Sequence, residues 1–403
     1  MKNDRRSVAA LYVFSFFKSL QFFGAVAVPF YIHRLEMGYA RMFTLEMVFS
    51  AAMMILEVPT GVVADRWGRK ISLCLGSLFL AAGFLMFGIF HSFGILLVAE
   101  LICALGMTLV SGADRALLYE VLKRDNETDR ATGVFARYEA AGTAGLFISF
   151  PLGSLFAGSG IVPYKEALGL VFVFTAAALG ISGLFVLGAR ETRPTRDREG
   201  RIWQRHVLRG LMRHGIDGFL QIFRTRELRS FGLNYAAISA LTFFMFWFYQ
   251  SLLARHAVPL AWFGFVGSAF NLSAMLLLQT TTFIQKKIGI GKALFLSSII
   301  PGLLYIGAGL FPNLIVALIA MFGVTNLKLF RAPMLSAMMN AKIDDTNRAT
   351  VLSGISMIER VLIALLYPLV GALADLSLNA ALLILGGLTI VASLSLRVNE
   401  ASL

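Results

Sequence analysis

Long apolar runs dominate this sequence and restrict its fold more than any other feature. Of 403 residues, 58% are hydrophobic and 15% are charged, whereas a soluble domain has about 25% charged residues. About 20 apolar residues are enough to cross a hydrocarbon core of about 30 Å as a helix. The sequence therefore predicts an all-α polytopic membrane protein. We place its twelve transmembrane helices near 7–32, 42–64, 71–91, 94–121, 132–158, 166–188, 229–254, 259–284, 293–311, 313–338, 348–372 and 376–396.

Basic residues are distributed unevenly between the connectors. With both termini placed in the cytoplasm, 26 Lys and Arg residues lie in cytoplasmic segments and 4 lie outside. Cytoplasmic loops of membrane proteins collect positive charge in this way. The asymmetry also explains the net charge of +13 without a nucleic acid partner. We expect a monomer, surrounded by lipids, in the bacterial cytoplasmic (inner) membrane.

The chain divides into two similar halves. Asp129-Arg130-Ala131-Thr132 opens the fifth span, and Asn347-Arg348-Ala349-Thr350 opens the eleventh, 218 residues later. Weak similarity at a half-chain period indicates parallel repeats. We expect an N-terminal six-helix bundle at 1–189, a cytoplasmic linker at 190–227 and a C-terminal six-helix bundle at 228–403. The linker is interpreted as a basic amphipathic helix on the inner leaflet or as a flexible connector, because arginines recur in it every four residues: Arg201, Arg205, Arg209 and Arg213.

A charged connector joins the second and third spans. It reads Gly61-Val62-Val63-Ala64-Asp65-Arg66-Trp67-Gly68-Arg69-Lys70. An ordinary positive-inside hairpin needs Arg and Lys but neither the Asp nor both glycines. The spacing G-x-x-x-D-R-x-G-R-K resembles the loop between the second and third helices of the major facilitator superfamily, a family of secondary transporters. The resemblance covers essentially the whole chain, and it implies two pseudo-symmetric six-helix bundles around a central cavity.

The resemblance also implies gating roles for this loop. The family's Asp engages the start of the eleventh helix, which here would join Asp65 to the helix opening near Asn347, where the helix dipole stabilises a carboxylate. The family's loop arginine pairs with an acid at the cytoplasmic end of the fourth helix, which suggests Arg69 with Glu120. These contacts would lock the halves while the carrier faces outward. The gating set is Gly61, Asp65, Arg66, Gly68, Arg69, Lys70 and Glu120.

The resemblance to the proton-driven drug exporters of this family is only partial. Their fourth span carries R-x-x-Q-G, whereas Arg115 is followed here by Ala-Leu-Leu-Tyr. Their fifth span carries G-P-x-x-G, and this chain has Phe150-Pro151-Leu152-Gly153. Antiport and efflux are expectations that depend on this branch, and the direction of transport stays open.

Ionisable residues inside apolar spans are costly unless they face water or a partner, so each marks a candidate site. At a rise of about 1.5 Å per residue, five of them share one layer near the cytoplasmic surface. Here we expect ion pairs that serve proton coupling or hold helices two, four and five together. The five are Glu57, Asp114, Arg115, Arg137 and Glu139.

Other ionisable residues lie nearer the midplane, where alternating-access carriers bind substrate between their repeats. Basic groups outnumber acidic ones there, which favours an anionic substrate group. We assign substrate contact to Lys18, Gln21, Lys328, Arg331, Glu359 and Arg360. For Lys18, snorkelling towards an interface is the alternative.

The seventh span contains the aromatic run from Phe243 to Tyr249. Its polar atoms belong to Trp247, Tyr249 and Gln250, which we add to the substrate-binding candidates. An aromatic belt at the membrane interface is the alternative explanation.

No motif in the sequence indicates an enzyme, a metal site or a cofactor. The chain lacks G-x-x-x-x-G-K-[ST], and Gly289-Ile290-Gly291-Lys292 is better explained as a degenerate copy of the signature loop. The sequence therefore predicts a secondary active transporter that works by alternating access. We expect proton-coupled export of a small amphipathic or anionic molecule. An uptake carrier for an anionic metabolite and a non-transporting membrane sensor with the same fold are the alternatives.

Overall fold

The computed structural model describes residues 2–124, 126–191, 226–342 and 348–398. Helices dominate these segments because a backbone that crosses lipid must satisfy its own N–H and C=O groups. Eleven helices in this part of the chain are long and apolar enough to span a membrane. The first span is not among these eleven, since its helix stops after 17 residues. Together with it, the chain has twelve transmembrane segments. The chain is an all-α, multi-pass membrane protein with twelve transmembrane helices in two bundles.

Unit 1 contains the described residues up to Glu191, together with Val258–Ser268. Its elements are α1 (Lys2–Lys18), α2 (Ala27–Pro29), a π-helical turn (Phe30–Arg34), α3 (Tyr39–Trp67), α4 (Arg69–Ile89), α5 (Phe93–Val110), α6 (Ala113–Arg124), a 3₁₀ turn (Thr128–Arg130), α7 (Ala131–Ala157), α8 (Tyr164–Leu187) and a second 3₁₀ turn (Leu260–Trp262).

Unit 2 contains the described residues from 226 to Ala257 and from Ala269 onward. Its elements are α9 (Arg226–Phe243), α10 (Met245–Arg255), the larger part of α11 (Phe263–Gln279), α12 (Thr281–Ile288), α13 (Ile290–Leu310), α14 (Leu314–Lys342), α15 (Arg348–Leu376) and α16 (Leu378–Ser395).

The two units repeat the same helix packing. In unit 1, α4 packs against α5 and α8, and α1 packs against α7 and α8. In unit 2, α13 packs against α14 and α16, and α9 packs against α15 and α16. These are equivalent pairs of spans, as the internal repeat predicted. The expected linker helix lies outside the described residues, so the domain division at 189 and 227 stays a prediction.

Four expected spans are interrupted, so the prediction of continuous helices was wrong for them. The first span stops at Lys18 and becomes helical again at Ala27. The fourth span divides into α5 and α6 at Ser111 and Gly112, where Gly112 has φ +78°. The seventh divides into α9 and α10 at Phe244. The eighth divides into α11 and α12 at Thr280. Hydropathy cannot reveal such breaks, because a helix and an interrupted helix of the same residues have the same apolar content.

Candidate functional site

The break in the first span exposes backbone groups that need partners. The backbone N–H of Gln21 donates to Ser149 Oγ at 3.1 Å. The backbone N–H of Phe22 donates to Thr175 Oγ1, also at 3.1 Å. Hydroxyl side chains of α7 and α8 therefore replace bonds that an unbroken helix would make. Gln21, a predicted binding residue, lies beyond the end of α1.

A close approach of α7 fixes the position of this break. A Cβ at Gly153 would lie 1.9 Å from the carbonyl oxygen of Phe22, so only glycine fits there. Gly153 lies in the segment Phe150-Pro151-Leu152-Gly153, which departs from the G-P-x-x-G motif of the drug exporters. Its observed role is to let the α7 backbone reach the interrupted segment. Interrupted helices are places where transporters build binding sites, because free backbone groups become available.

Lys18, at the end of α1, forms an ion pair with α6. Its Nζ lies 2.7 Å from Asp114 Oδ2, and the two side chains are 22% and 9% exposed. Tyr138 Oη donates to the same carboxylate oxygen at 2.7 Å and accepts a bond from Lys18 Nζ at 3.2 Å. The backbone N–H of Arg115 donates to Asp114 Oδ1 at 2.7 Å. We call Lys18, Asp114 and Tyr138 the charge triad.

The charge triad carries no net charge when Asp114 is ionised, since one ammonium faces one carboxylate. The ammonium also lies over the rings of Phe14, at 5.2 Å, and Tyr138, at 5.4 Å, and such contacts further stabilise a cation. Ser15 Oγ holds the α7 backbone by donating to the Tyr138 carbonyl oxygen at 2.9 Å. A proton placed on Asp114 would cancel the ion pair and leave Lys18 without a counter-charge.

The charge triad changes one expectation from the sequence. From its estimated depth in the membrane, Lys18 was predicted to contact substrate. Asp114, nearer the cytoplasmic surface, was predicted to serve structure or proton coupling. In the structure these two side chains form one pair. Depth was a poor guide because a lysine side chain reaches several ångströms from its backbone and both helices are interrupted nearby.

The other members of the expected ion-pair layer lie outside this cluster. Arg115 Nη2 lies 2.7 Å from Glu139 Oε1, and the side chains are 64% and 55% exposed. Both residues were expected in this layer. Glu57 and Arg137 are also exposed. The exposed pair and the buried triad therefore have different surroundings, although their residues adjoin along α6 and α7.

The signature loop forms a tight turn at the end of α3. Gly68 ends α3 and precedes α4 with φ +102°, a backbone conformation that L side chains rarely adopt. A Cβ there would lie 2.6 Å from Glu191 Oε2. The conformation and the crowding both require glycine.

Glu191, just beyond α8, caps the start of α4. Its carboxylate accepts the backbone N–H of Arg69 and, at 3.2 Å, that of Lys70. A carboxylate at a helix N-terminus satisfies free N–H groups and is stabilised by the helix dipole. Glu191 was not among the residues predicted from the sequence. Its signal was an acid directly after the sixth span, in a connector otherwise rich in arginine.

Basic side chains of the loop complete its contacts. Arg69 Nη1 forms an ion pair with Glu120 on α6 and donates to the Ala116 carbonyl oxygen at 3.1 Å. Lys70 Nζ donates to the carbonyl oxygens of Leu187, at 2.6 Å, and Ala189, at 3.0 Å. The Arg69–Glu120 contact is the one that the family resemblance suggested.

Three further members of the gating set lie at the surface. Gly61, Asp65 and Arg66 are exposed. The expected partner of Asp65, the helix opening near Asn347, lies outside the described residues. The gating role of the whole loop stays a prediction.

On the other side of unit 1, Arg34 connects the end of the first span to two helices. Its Nη2 donates to the Gly88 carbonyl oxygen at 2.7 Å, and its Nη1 donates to that of Lys165 at 2.8 Å. Lys165 Nζ in turn lies 2.6 Å from Glu36 Oε1. This hydrogen bond lowers the pKa of the Glu36 carboxyl. These contacts hold the segment after the break against α4 and α8.

The predicted binding residues of unit 2 divide by exposure. Arg331 is fully buried on α14, whereas Lys328 and Glu359 are partly buried and Arg360 is exposed. The charge of Glu359 lies near those of Lys328 and Arg360. Lys328 Nζ lies 4.9 Å from the centre of the Phe243 ring. The three α10 candidates, Trp247, Tyr249 and Gln250, are all buried.

A family model covers most of the chain. Residues 8–327 match the model described as Major Facilitator Superfamily. Comparison with curated proteins gives no significant match.

Solved transporter structures share the fold. The nucleoside transporter NupG superposes with a TM-score of 0.78, at 17% identity, over 96% of this chain and 98% of that one. A bacterial homologue of the human lysosomal transporter Spinster, inward-facing and unoccupied, gives 0.73, at 16% identity, over 99% and 96%. A POT family transporter in complex with 5-aminolevulinic acid gives 0.70, at 14% identity, over 97% and 95%. Identities this low establish the fold alone.

Proposed function

The chain belongs to the major facilitator superfamily, and from this premise we propose that it is a proton-coupled carrier of a small amphipathic or anionic molecule. Family and fold together identify a secondary transporter rather than an enzyme. Proton coupling, the substrate class and the direction of transport are the proposed parts.

The charge triad is the observation that supports proton coupling. Asp114 can exist as a carboxylate paired with Lys18 or as a protonated acid without the ion pair. Protonation would remove the attraction that joins α1 to α6, beside the break in the first span. A buried acid whose protonation changes a helix contact can link a proton gradient to a conformational change. Tyr138, which donates to the carboxylate, orients Asp114 in the charged state.

The direction of transport depends on the charge of the substrate. Protonation of Asp114 leaves the Lys18 ammonium unpaired, which favours an anion that binds together with the proton. The triad therefore supports uptake, the alternative, if the substrate is anionic. Export by antiport, the direction expected from the sequence, requires a substrate that leaves its site when the proton binds. For a substrate without negative charge, export stays a prediction.

The signature loop is proposed to control access. We expect the carrier to lie in the bacterial cytoplasmic (inner) membrane, as a monomer with both termini in the cytoplasm. Asp65→Asn and Arg69→Ala each remove a charge from the proposed lock and should shift the population towards the inward-open state. A coupling of about 1–3 kcal/mol corresponds to about 5- to 150-fold. Spin labels at the cytoplasmic ends of the halves would report longer distances, and unchanged distances in both variants would exclude the lock.

A ligand screen followed by a flux assay tests the proposed function. Thermal-shift screening of metabolites, drugs, siderophores and lipids against the purified protein would supply a substrate. In proteoliposomes, that substrate should accumulate against its gradient while a proton gradient of the appropriate sign is present. Collapse of the proton gradient should stop accumulation, and undiminished accumulation would exclude proton coupling. A ligand that binds but never crosses the bilayer would favour the sensor.

A further inference from the structure

The guanidinium of Arg331 is buried with only part of its hydrogen bonding satisfied. Its side chain is fully inaccessible. Nη2 donates to Asn234 Oδ1 on α9, a neutral amide. Nε and Nη1, which are also buried, have no hydrogen-bond partner among the described residues. Arginine has five N–H donors and stays charged in proteins, so this arrangement leaves a buried positive charge without an anion.

No carboxylate in the described part of unit 2 forms an ion pair with Arg331. Glu359, an acid on α15, lies close enough to Lys328 and Arg360 for their charges to act on it. Positive charge thus exceeds negative charge around this part of α14. An uncompensated buried charge is expensive, and it marks a place where an anion binds with a large gain.

One aromatic ring of a larger aromatic cluster faces the neighbouring cation on the same helix. Lys328, one turn before Arg331, lies over the ring of Phe243. Phe243 contacts Phe246, at a centroid distance of 6.4 Å, and Tyr367, at 6.0 Å. Lys328 is partly buried, whereas Arg331 is fully buried. Cations beside aromatic faces suit a ligand that combines an acidic group with a ring.

We propose that Arg331 is the residue that recognises the anionic group of the transported molecule, and that this molecule is an aromatic carboxylate. The inference rests on the proposed transport of a small molecule and adds its chemical class. Arg331 is available for this role because Asn234 does not neutralise it, whereas Lys18 is neutralised by Asp114. A charge-assisted hydrogen bond from a guanidinium to a carboxylate is strong, and Nε and Nη1 of Arg331 each have a donor without a partner among the described residues.

Benzoate and its neutral analogue benzamide are the probes, titrated calorimetrically into the purified full-length protein. Wild type should bind benzoate and not benzamide. Arg331→Gln should weaken benzoate binding about 30-fold or more, as for the loss of a buried charge partner. Arg331→Lys should keep part of the affinity. Arg255→Gln, which changes an exposed arginine of the same unit, should bind as wild type does.

A second variant protects the test against misfolding. Arg331→Met removes the charge while keeping an apolar chain, so it should fold and still lose benzoate. The proposal is overturned by wild-type affinity in either charge-removing variant, by equal binding of benzamide, or by absence of benzoate binding to wild type. If one of these results overturned the proposal while the protein still moved a neutral solute in a proton-driven manner, the proposed transport function would stay intact. Arg331-dependent benzoate binding without any flux would remove the transport function and keep this site.

Discussion

Equivalent spans pack together within unit 1 and within unit 2, yet a basic side chain in each unit has a different kind of partner. Lys18 and Asn234 lie in the first and seventh spans, 216 residues apart, and Asp114 and Arg331 lie in the fourth and tenth, 217 apart. Each pair makes a polar contact between equivalent helices. In unit 1 an ammonium meets a carboxylate, and in unit 2 a guanidinium meets an amide. The same helix packing therefore holds one cation with a counter-charge, Lys18, and one cation without a counter-charge among the described residues, Arg331.

This difference suggests a division of labour between the units. A neutralised pair responds to protons, because protonation of its acid unbalances it. An uncompensated cation responds to anions, because binding one balances it. Stability measurements can test the difference independently of any substrate, since the two arrangements predict opposite effects when a charge is removed.

The largest expected effect comes from removing the acid of unit 1. Asp114→Asn leaves the Lys18 ammonium, whose side chain is 22% exposed, without its counter-charge, which should cost up to about 3–5 kcal/mol of folding stability. Lower folded yield and earlier thermal unfolding in detergent would show it. The double variant Lys18→Gln/Asp114→Asn, in which neither charge remains, should regain much of that loss. If the double variant were as unstable as Asp114→Asn alone, the two residues would not be energetically paired.

The matching change in unit 2 should act in the opposite direction. Arg331→Met replaces an incompletely paired cation by an apolar chain, and such replacements are often neutral or stabilising by about 1–4 kcal/mol. The thermal unfolding midpoint should therefore stay at the wild-type value or rise. A fall comparable to that of Asp114→Asn would mean that Arg331 has a structural anionic partner, and the comparison between the units would fail.

The turns before α4 and α13 provide a smaller contrast. Gly68 and Gly289 both have positive φ, +102° and +83°, so alanine should cost about 1–2 kcal/mol at each. A new Cβ meets Glu191 at Gly68 and open space at Gly289. Gly68→Ala should thus lower the unfolding midpoint more than Gly289→Ala. Equal shifts of the unfolding midpoint in the two variants would indicate that the Glu191 side chain can move away from residue 68 without loss of stability.

The exposed ion pair of unit 1 should have the smallest effect. Arg115 and Glu139 are both more than half exposed, and surface pairs contribute about 0–1 kcal/mol. Arg115→Ala should leave the unfolding midpoint close to that of wild type. A loss as large as that of Asp114→Asn would place this pair within the buried network instead.

Sequence reasoning identified the helical membrane fold and the internal repeat because both depend on composition and spacing. It also suggested Arg69 with Glu120, since a family motif fixes those positions. It did not predict the contact between Lys18 and Asp114, because the helix interruptions at Lys18 and Gly112 cannot be read from hydropathy. Glu191 was missed for a related reason. Its partners are backbone N–H groups in a turn more than a hundred residues earlier, and an acid after the sixth span does not by itself indicate which groups it contacts.

Proton-driven transport by wild type and by the Lys18→Gln/Asp114→Asn variant is the most direct test of the central claim that the charge triad couples protons to transport. The substrate from the screen would be followed in proteoliposomes under two conditions, a proton gradient and simple exchange across the membrane. We predict that wild type accumulates substrate when a gradient is applied, whereas the double variant exchanges substrate but no longer accumulates it. Gradient-driven accumulation by the double variant at the wild-type level would contradict the claim, because the carrier would then couple protons without Asp114.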